Sequence, residues 1–371
     1  MSTAKRYPGV DLIRIFAFFC LVSLHFFLNN DYYYETIRGE RMYIMTLMRS
    51  FFIVCVPLFM TLTGYLLNGK KMEGAYYKRI SKIIITYLLA SILCIVYSVF
   101  RLKQELSVKD AILNILNFTA APYSWYVEMY LGMYLLIPLL NIVYHAMPSQ
   151  KAKLWLIFTF IILTVIPSSL NIYDLRSFDW LSQPSSTSEY NKLFPSFWTS
   201  LYPITYYYIG SYLKEYGFKI NRLLNIGLIL FLTIFSGTNS FWRSYQANFV
   251  WGFWCGYGSP LVMSLAVLVF VFFININYTK LPNCLAKFLH NVSVLCLGAY
   301  LVSWIFDSEL YPVLLEKVPV VAHRLESYIV IVPILFVASL ITSYFLSKVQ
   351  FLIEKACALL GNLIRKKAKT S

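Results

Sequence analysis

Charged residues are scarce in this chain. They make up 13% of its 371 residues, against 59% hydrophobic and 18% aromatic residues, whereas a soluble domain carries roughly 25% charged residues. The mean hydropathy is +0.63. A soluble fold of this length cannot cover so many apolar side chains. The composition therefore excludes a soluble protein and predicts one that crosses the membrane several times.

Metal-binding and disulfide patterns are also missing. The seven cysteines occur singly, mostly within apolar runs, without a Cys-x-x-Cys pair or a zinc spacing. They are Cys20, Cys55, Cys94, Cys255, Cys284, Cys296 and Cys357. We interpret them as small apolar core residues, and we expect neither a metal ion nor a bound cofactor.

No signal-peptide cleavage site follows the first apolar run. The next stretch, NNDYYYETIRGER (29–41), has no pattern of small residues for cleavage, so we expect the first span to be retained. The short N terminus and the lack of targeting signals fit a multi-pass protein of a bacterial plasma membrane.

Apolar runs of about 20 residues, enough to cross a bilayer as a helix, recur along the chain. They lie near 10–28, 44–67, 80–100, 123–144, 153–170, 198–213, 222–236, 258–275, 289–306 and 327–347. We predict an all-α transmembrane bundle of about ten spans with both termini in the cytoplasm. Residues 1–350 would form this bundle and 351–371 a basic cytoplasmic tail.

The net charge of +15 suits a membrane surface better than nucleic acid. In the predicted topology the cytoplasmic segments hold 20 Lys and Arg against three acids, and the opposite loops hold 10 against 12. This asymmetry is what the positive-inside rule predicts. Basic loops beside anionic lipid headgroups explain the charge, so membrane lipid is an expected partner and nucleic acid is not.

A few ionisable residues remain inside the predicted spans. They are Asp11, Arg14, His25, Arg49 and Glu128. Charged groups at the bilayer centre cost a few kcal/mol each even on mild scales, and they usually mark function. These residues are therefore the first candidates for chemistry.

The first span, DLIRIFAFFCLVSLHFF (11–27), carries three of them. Arg14 and His25 are eleven residues apart, which on a helix places them about 20° apart in rotation and roughly 16 Å apart along the axis. Asp11 precedes Arg14 by three residues and can pair with it. One alternative is that Asp11 and Arg14 form a purely structural ion pair, and another is that His25 is an interfacial histidine.

The topology groups the candidates at two depths. Arg79 and Lys82 enter the third span at the inner surface, at the depth of Arg14, where they form a basic mouth. Arg49 and Glu128 enter their spans from the outer side, at the depth of His25. The simpler alternatives are that Arg79 and Lys82 are ordinary positive-inside residues and that Glu128 only neutralises Arg49.

Several segments, in order, resemble the acyltransferase-3 family of membrane proteins that transfer acyl groups, mostly acetyl, onto sugars. Arg14 and His25 match its Arg and His on the first span, with ten residues between them. The other matching segments are RSFFIVCVPLFMTLTGYLL (49–67), YKRISKIIITY (77–87), WYVEMYLGMYLLIPLLN (125–141), YYYIGSYLKEYG (206–217) and LGAYLVSWIFD (297–307). The resemblance covers nearly the whole chain.

The sequence departs from the family pattern at specific positions. Lys82 replaces the second Arg of an Arg-x-x-Arg pair, which keeps the charge but not the bidentate fork. Ser303 stands where many members have His, so we assign it no catalytic role. Glu128 is not at the family's acidic position, and its role is inferred from depth alone. Many members append an extracytoplasmic hydrolase-like domain, which we do not expect here.

The resemblance implies an O-acetyltransferase that moves acetyl from cytosolic acetyl-CoA to a hydroxyl of a cell-surface glycan, an exopolysaccharide or a lipid-linked precursor. His25 would act as the base in a direct transfer or carry the acetyl group as an acetyl-His25 intermediate, and the sequence does not choose between the two; Arg14 would be its catalytic companion. Arg14, Arg79 and Lys82 would bind the donor phosphates. Arg49, Glu128 and Trp125 would lie on the acceptor or oxyanion side.

The main alternative is a lipid-linked sugar transporter or flippase without acyl transfer, in which buried charges line a transport path. Inverted repeats would favour it, and no convincing internal repeat is present. A glycan polymerase is a third possibility, although its long extracytoplasmic loops are not matched here. The glycan, the acyl group and the side of the membrane at which transfer occurs are left open by the sequence.

Overall fold

The computed structural model describes residues 7–176, 179 and 191–370, with side chains as far as residue 356 except that of residue 253. This part of the chain is helical, and its only β pairing is an isolated bridge between Ile37 and Tyr245. The α-helices are α1 Pro8–Asn29, α2 Gly39–Phe52, α3 Cys55–Leu67, α4 Gly74–Tyr77, α5 Ile80–Phe100, α6 Val108–Leu116, α7 Trp125–Ala146, α8 Gln150–Thr164, α9 Pro167–Leu170, α10 Tyr202–Tyr216, α11 Arg222–Arg243, α12 Pro260–Ile274, α13 Asn283–Lys317 and α14 Tyr328–Thr370. The predicted all-α class is confirmed.

Seven helical segments in the described residues are long and apolar enough to cross a membrane. They are Pro8–Asn29, Gly39–Leu67, Gly74–Phe100, Trp125–Ala146, Arg222–Arg243, Asn283–Lys317 and Val321–Ala356. Pro260–Ile274 is a shorter apolar helix. The ten predicted apolar runs all fall largely on helical residues. The protein is therefore a multi-pass membrane protein, while the count of ten and the cytoplasmic termini stay predictions.

The chain divides into two compact units. The first unit comprises Met1–Met72, Leu135–Ser293 and Leu310–Val332, and the second comprises Glu73–Tyr134, Val294–Glu309 and Pro333–Ser371. The predicted division between a bundle, 1–350, and a basic tail, 351–371, stays a prediction.

Within the first unit, α3 and α10 pack with their backbones almost in contact. A Cβ added at Gly64 would lie 2.0 Å from the carbonyl oxygen of Tyr207, and one added at Gly210 would lie 1.9 Å from that of Thr61. Small residues allow membrane helices to approach this closely. The two glycines therefore permit the close packing of α3 on α10.

The two ends of the first unit can be defined by the start and the finish of α1. Where α1 finishes, Arg324 donates to the carbonyl of Asn30 at 2.7 Å. Where α1 begins, Gly9 lies so close to the last turn of α12 that a Cβ would be 3.1 Å from the Phe273 carbonyl oxygen. Following the predicted topology, we call the end with residues 29–38 the outer end and the end with residues 7–11 the inner end.

The second unit is held by polar contacts at one end of α5 and α7. Tyr123 donates to the buried carboxylate of Asp307 at 2.7 Å, and Glu309 accepts from Arg101 at 3.0 Å and from Tyr97 at 2.8 Å. Buried polar groups need such partners to offset the loss of water.

Candidate active site

Helix α1 carries both candidate catalytic residues. It runs from Pro8 to Asn29 with its only proline at the first position, where proline is compatible with a helix. Because nothing interrupts the helix, the spacing of Arg14 and His25 corresponds to about 20° of rotation and roughly 16 Å of rise. His25 is 8% exposed, so it faces protein rather than lipid.

On the side of α1 that carries Arg14 and His25, the residues between them are apolar. Phe18 and Leu21, which lie on the same side of the helix as Arg14 and His25, are 0% and 4% exposed. A wet channel from the inner end to His25 therefore stays a prediction.

At the inner end, four side chains form one polar cluster. Arg14 Nη1 donates to Ser293 Oγ at 3.2 Å, and Ser293 Oγ donates in turn to Asp11 Oδ1 in a short hydrogen bond. Arg14 Nη1 lies 3.9 Å from Asp11 Oδ1, at the limit of an ion pair. His290 Nδ1 lies 3.3 Å from the same oxygen. Ser293 thus bridges Arg14 to Asp11, which also holds His290.

Local sequence explains this cluster. Asp11 and Arg14 are three residues apart on α1, and His290 and Ser293 are three residues apart on α13, so each pair shares a helix face. On α1 the cluster lies in the first two turns, and on α13 it lies about two turns after the start of the helix; both helices begin at the same end of the unit. Two helices that start side by side thereby bring two polar pairs together.

Near the outer end, the guanidinium of Arg49 is enclosed by aromatic rings. Arg49 is 1% exposed; its Nε donates to the Tyr33 hydroxyl at 3.3 Å and its Nη1 to the Cys255 carbonyl at 3.0 Å. The rings of Phe249 and Trp251 lie 4.9 Å and 5.1 Å from its Cζ. Nη2 is buried without a hydrogen-bond partner among the described residues. Arg49 therefore offers an unused donor inside an aromatic cage.

No carboxylate of the described residues lies within ion-pair distance of Arg49. Burial raises the pKa of Tyr33, and this effect outweighs the lowering caused by Arg49. Tyr33 therefore stays a neutral hydroxyl and does not supply a compensating negative charge. A buried cation without a counter-ion is costly and suits a site where negative charge develops during a reaction.

The loops that form this cage are tied together by backbone bonds. Ile37 N donates to the Ala247 carbonyl at 2.8 Å, and Gln246 N donates to the Ile37 carbonyl at 3.0 Å. The Tyr33 ring also packs on Trp251, with the centroids 4.5 Å apart. The segment after α1 and the segment after α11 therefore form one preorganised layer beside Arg49.

The remaining sequence candidates lie in the second unit. Arg79 and Lys82 are exposed at the start of α5, and Trp125 and Glu128 are exposed in the first turn of α7. Ser303 is buried and donates to the carbonyl of Tyr300 at 2.9 Å. The roles assigned to Arg79, Lys82, Trp125 and Glu128 stay predictions.

Sequence reasoning missed the two groups on α13 and most of the cage. His290 and Ser293 lie at the start of the predicted apolar run 289–306. Their spacing of three residues indicates a shared helix face, but not that this face meets Asp11 and Arg14. The cage combines Tyr33, from the loop after α1, with Phe249 and Trp251, from the segment after α11, and no local pattern in the sequence shows that these two segments meet. No group of three or more residues suited to hold a metal ion occurs in the described part of the chain.

The comparison with protein families matches most of the chain. The family model described as "Acyltransferase domain", that of the acyltransferase-3 family, matches residues 7–348. A search of curated proteins and a search of solved structures each gave no significant match. Because the family model spans nearly the whole chain and the chain folds into membrane-spanning helices, this protein belongs to the acyltransferase-3 family and is a membrane acyltransferase.

Proposed function

We propose that the protein is an O-acetyltransferase of the plasma membrane of a bacterium. It takes acetyl from cytosolic acetyl-CoA and transfers it to a hydroxyl of a cell-surface or exopolysaccharide glycan, or of its lipid-linked precursor. The family match favours acyl transfer over the transporter alternative. The donor, the acceptor and the residue roles below are our proposal.

The observation that carries the proposal is the pairing of Arg14 and His25 on one unbroken helix. Arg14 reaches the polar cluster at the inner end, and its side chain is 27% exposed. His25 lies buried roughly 16 Å further along, toward the outer end. An extended pantetheine arm can bridge this separation, which lets a donor held by Arg14 present its thioester near His25.

His25 supplies the base for transfer. Imidazole exchanges a proton near neutral pH, and general base catalysis contributes roughly 10²–10⁴-fold. As His25 takes the hydroxyl proton, the acceptor oxygen bonds to the acetyl carbon. The tetrahedral oxyanion then collapses, the C–S bond breaks, and the CoA thiolate leaves and takes up the proton. An acetyl-His25 intermediate uses the same residue and divides the transfer into two steps.

Arg49 supplies positive charge on the acceptor side. Its buried and unpartnered Nη2 is a preorganised donor for the oxyanion or for an acceptor oxygen. Hydrogen bonds from a charged donor are stronger than neutral ones, and they gain further in a site that excludes water. The adjacent rings of Phe249 and Trp251 suit the apolar face of a sugar.

At the inner end, Arg14 binds the phosphates of acetyl-CoA. Among the described residues its guanidinium has one hydrogen-bond partner, Ser293, so most of its five N–H donors remain for a ligand. Arg79 and Lys82 are proposed to contribute further positive charge to donor binding.

The test is acetyl transfer in cells and in isolated membranes. Membranes that contain the wild-type protein should transfer radiolabel from acetyl-CoA to glycan, and His25→Ala should reduce the transfer at least 10²-fold. His25→Gln, which keeps polarity but cannot act as a base, should be equally impaired. His323→Ala is the matched control, because His323 is exposed. Undiminished transfer by His25→Ala, or no label in glycan with the wild type, would contradict the proposal.

A further inference from the structure

His290 belongs to the inner cluster although neither the family resemblance nor the mechanism above uses it. Its Nδ1 lies 3.3 Å from Asp11 Oδ1, and 45% of its side chain is exposed. Asp11 is 7% exposed at its side chain. A buried carboxylate thus holds one side of the imidazole, and the rest of the ring is open to solvent.

The hydrogen-bond geometry fixes which nitrogen is available. Because the Asp11 carboxylate accepts hydrogen bonds, Nδ1 must carry a proton and donate to it. Nε2 is then the nitrogen left for a ligand. When Nε2 also carries a proton, His290 is a cation that can donate to an anionic oxygen, and Asp11 offsets the added charge.

Arg14 and His290 are held by the same carboxylate. Arg14 reaches Asp11 through Ser293 Oγ at 3.2 Å, and His290 contacts Asp11 directly. One acid thereby orients two cation-forming side chains from two helices at the inner end. A guanidinium and an imidazolium side by side offer several N–H donors for the oxygens of a phosphate group.

We infer that His290 is a donor-binding residue, which joins Arg14 in binding a phosphate group of the acyl donor. Asp11 and Ser293 are positioning residues: Asp11 fixes the Nδ1 proton of His290, and Ser293 fixes the guanidinium of Arg14. This inference rests on the proposed use of acetyl-CoA as the donor.

The groups that surround His290 define the necessary controls. Asp11 and Arg14 face it from α1. Lys287 precedes it by one turn on α13 and is exposed, so Lys287→Gln removes a nearby positive charge without altering the cluster. His290→Gln removes the imidazole but retains a polar side chain, and His290→Lys supplies a permanent cation.

The experiment measures binding of CoA and of pantetheine to the full-length protein in lipid nanodiscs by isothermal titration. Pantetheine carries the thiol arm but no phosphate. We expect His290→Gln to weaken CoA binding about tenfold, as the loss of one charged hydrogen bond predicts, and to leave pantetheine binding within about twofold. His290→Lys should recover most of the CoA affinity, and Lys287→Gln should retain it.

The outcomes separate this inference from the proposed function. Equal CoA binding by the wild type and His290→Gln would overturn the role of His290 and leave acetyl-CoA as the donor. An equal loss of affinity for CoA and for pantetheine in His290→Gln would show that His290 has only a structural role, and would also overturn the inference. Absence of CoA binding by the wild type would contradict the proposed donor itself, and the inference with it.

Discussion

The Nε atom of Arg49 donates to the hydroxyl of Tyr33 at 3.3 Å, which joins α2 to the loop that follows the His25 end of α1. Tyr33 is neutral because its burial raises its pKa. The hydrogen bond therefore orients the guanidinium without neutralising it. Nη2 of the same guanidinium has no hydrogen-bond partner among the described residues, which is the basis of the acceptor-side role that we propose for Arg49.

Substitution of Arg49 should reduce turnover more than donor binding. Arg49→Gln removes the charge, and the loss of one preorganised oxyanion donor typically costs about 10²–10³ in kcat. Arg49→Lys keeps the charge but not the planar fork, so we expect an intermediate loss. Transfer should be measured at saturating acetyl-CoA, which gives kcat, and over a range of acetyl-CoA concentrations, which gives KM for the donor. We expect this KM to change little, because Arg49 is assigned to the acceptor side.

Tyr33→Phe tests the orienting bond by itself. This variant keeps the ring that packs on Trp251 and removes only the hydroxyl, so we expect a fall in kcat of about tenfold or less, the worth of one hydrogen bond. Tyr34→Phe is the matched control, since Tyr34 is 77% exposed. A larger effect from Tyr34→Phe than from Tyr33→Phe would contradict the assignment.

The sequence could predict α1 and its charged residues because both depend on local information. Hydropathy reveals a span, and a spacing of eleven residues fixes the relation of Arg14 to His25 on any unbroken helix. The partners of these residues depend on which helices become neighbours. His290 is 279 positions from Asp11 in the sequence. Cys255, whose carbonyl accepts from Arg49, is 206 positions from Arg49. Neither partner could therefore be identified from the spacing of residues.

The helix pair α3 and α10 provides a stability prediction. Gly64→Ala and Gly210→Ala would each place a methyl carbon against backbone at 2.0 Å and 1.9 Å. Backbone cannot rotate away, so the helices must separate, and overpacking of this kind costs about 1–3 kcal/mol. We expect each variant to lower the midpoint of thermal unfolding by several degrees.

The matched controls are helical glycines with open surroundings. A Cβ at Gly132 or Gly227 meets no atom within 4 Å. Because alanine favours helix over glycine by about 0.8–1.0 kcal/mol, these substitutions should leave the midpoint unchanged or raise it. A similar decrease for all four variants would show that close packing is not the cause. The sequence places Gly64 and Gly210 within two segments that resemble the family, 49–67 and 206–217. It does not show that the two helices pack against each other.

The Lys153–Glu215 pair should make stability depend on pH. Lys153 Nζ contacts both Glu215 carboxylate oxygens, at 2.7 Å and 2.8 Å. Neither residue lies in one of the seven helical segments that are long and apolar enough to cross a membrane. Burial acts to raise the pKa of Glu215, but hydrogen bonds led by that from Lys153 lower it overall from its ordinary value of 4.5. The unfolded carboxyl therefore binds a proton before the folded one as the pH falls.

The stabilisation by Glu215 is thus complete above pH 4.5 and is lost as the pH falls through the lower pKa of the folded state. We expect the difference in unfolding midpoint between the wild type and Glu215→Gln to be largest at pH 7 and to shrink below pH 4.5. Glu326→Gln is the control, because Glu326 is 69% exposed in its pair with Arg41. A constant difference across this pH range for Glu215→Gln would refute the expectation.

Arg324 anchors the outer end of α1 through four acceptors. It donates to the carbonyls of Asn30 and Val318 at 2.7 Å, to the carbonyl of Pro319 at 3.1 Å and to the carboxylate of Asp31 at 3.1 Å. Arg324 is 4% exposed. Asp31 adopts a left-handed conformation with φ of 61°, which costs energy for a residue other than glycine. The arginine therefore holds in place the turn that leads from α1 to the Tyr33 loop.

Arg324→Ala should destabilise the protein and also lower its activity. It leaves buried acceptors without a donor, at a cost of about 1–3 kcal/mol for each unsatisfied group, whereas Arg41→Ala removes an exposed ion pair worth about 1 kcal/mol or less. We expect a much lower unfolding midpoint for Arg324→Ala than for Arg41→Ala. Below that midpoint, the released turn should let Tyr33 move away from Arg49, so that kcat for acetyl transfer falls while CoA binding at the inner end is retained. Equal loss of kcat and CoA affinity would instead indicate general unfolding, because the turn lies at the outer end of α1 and the proposed CoA site lies at the inner end.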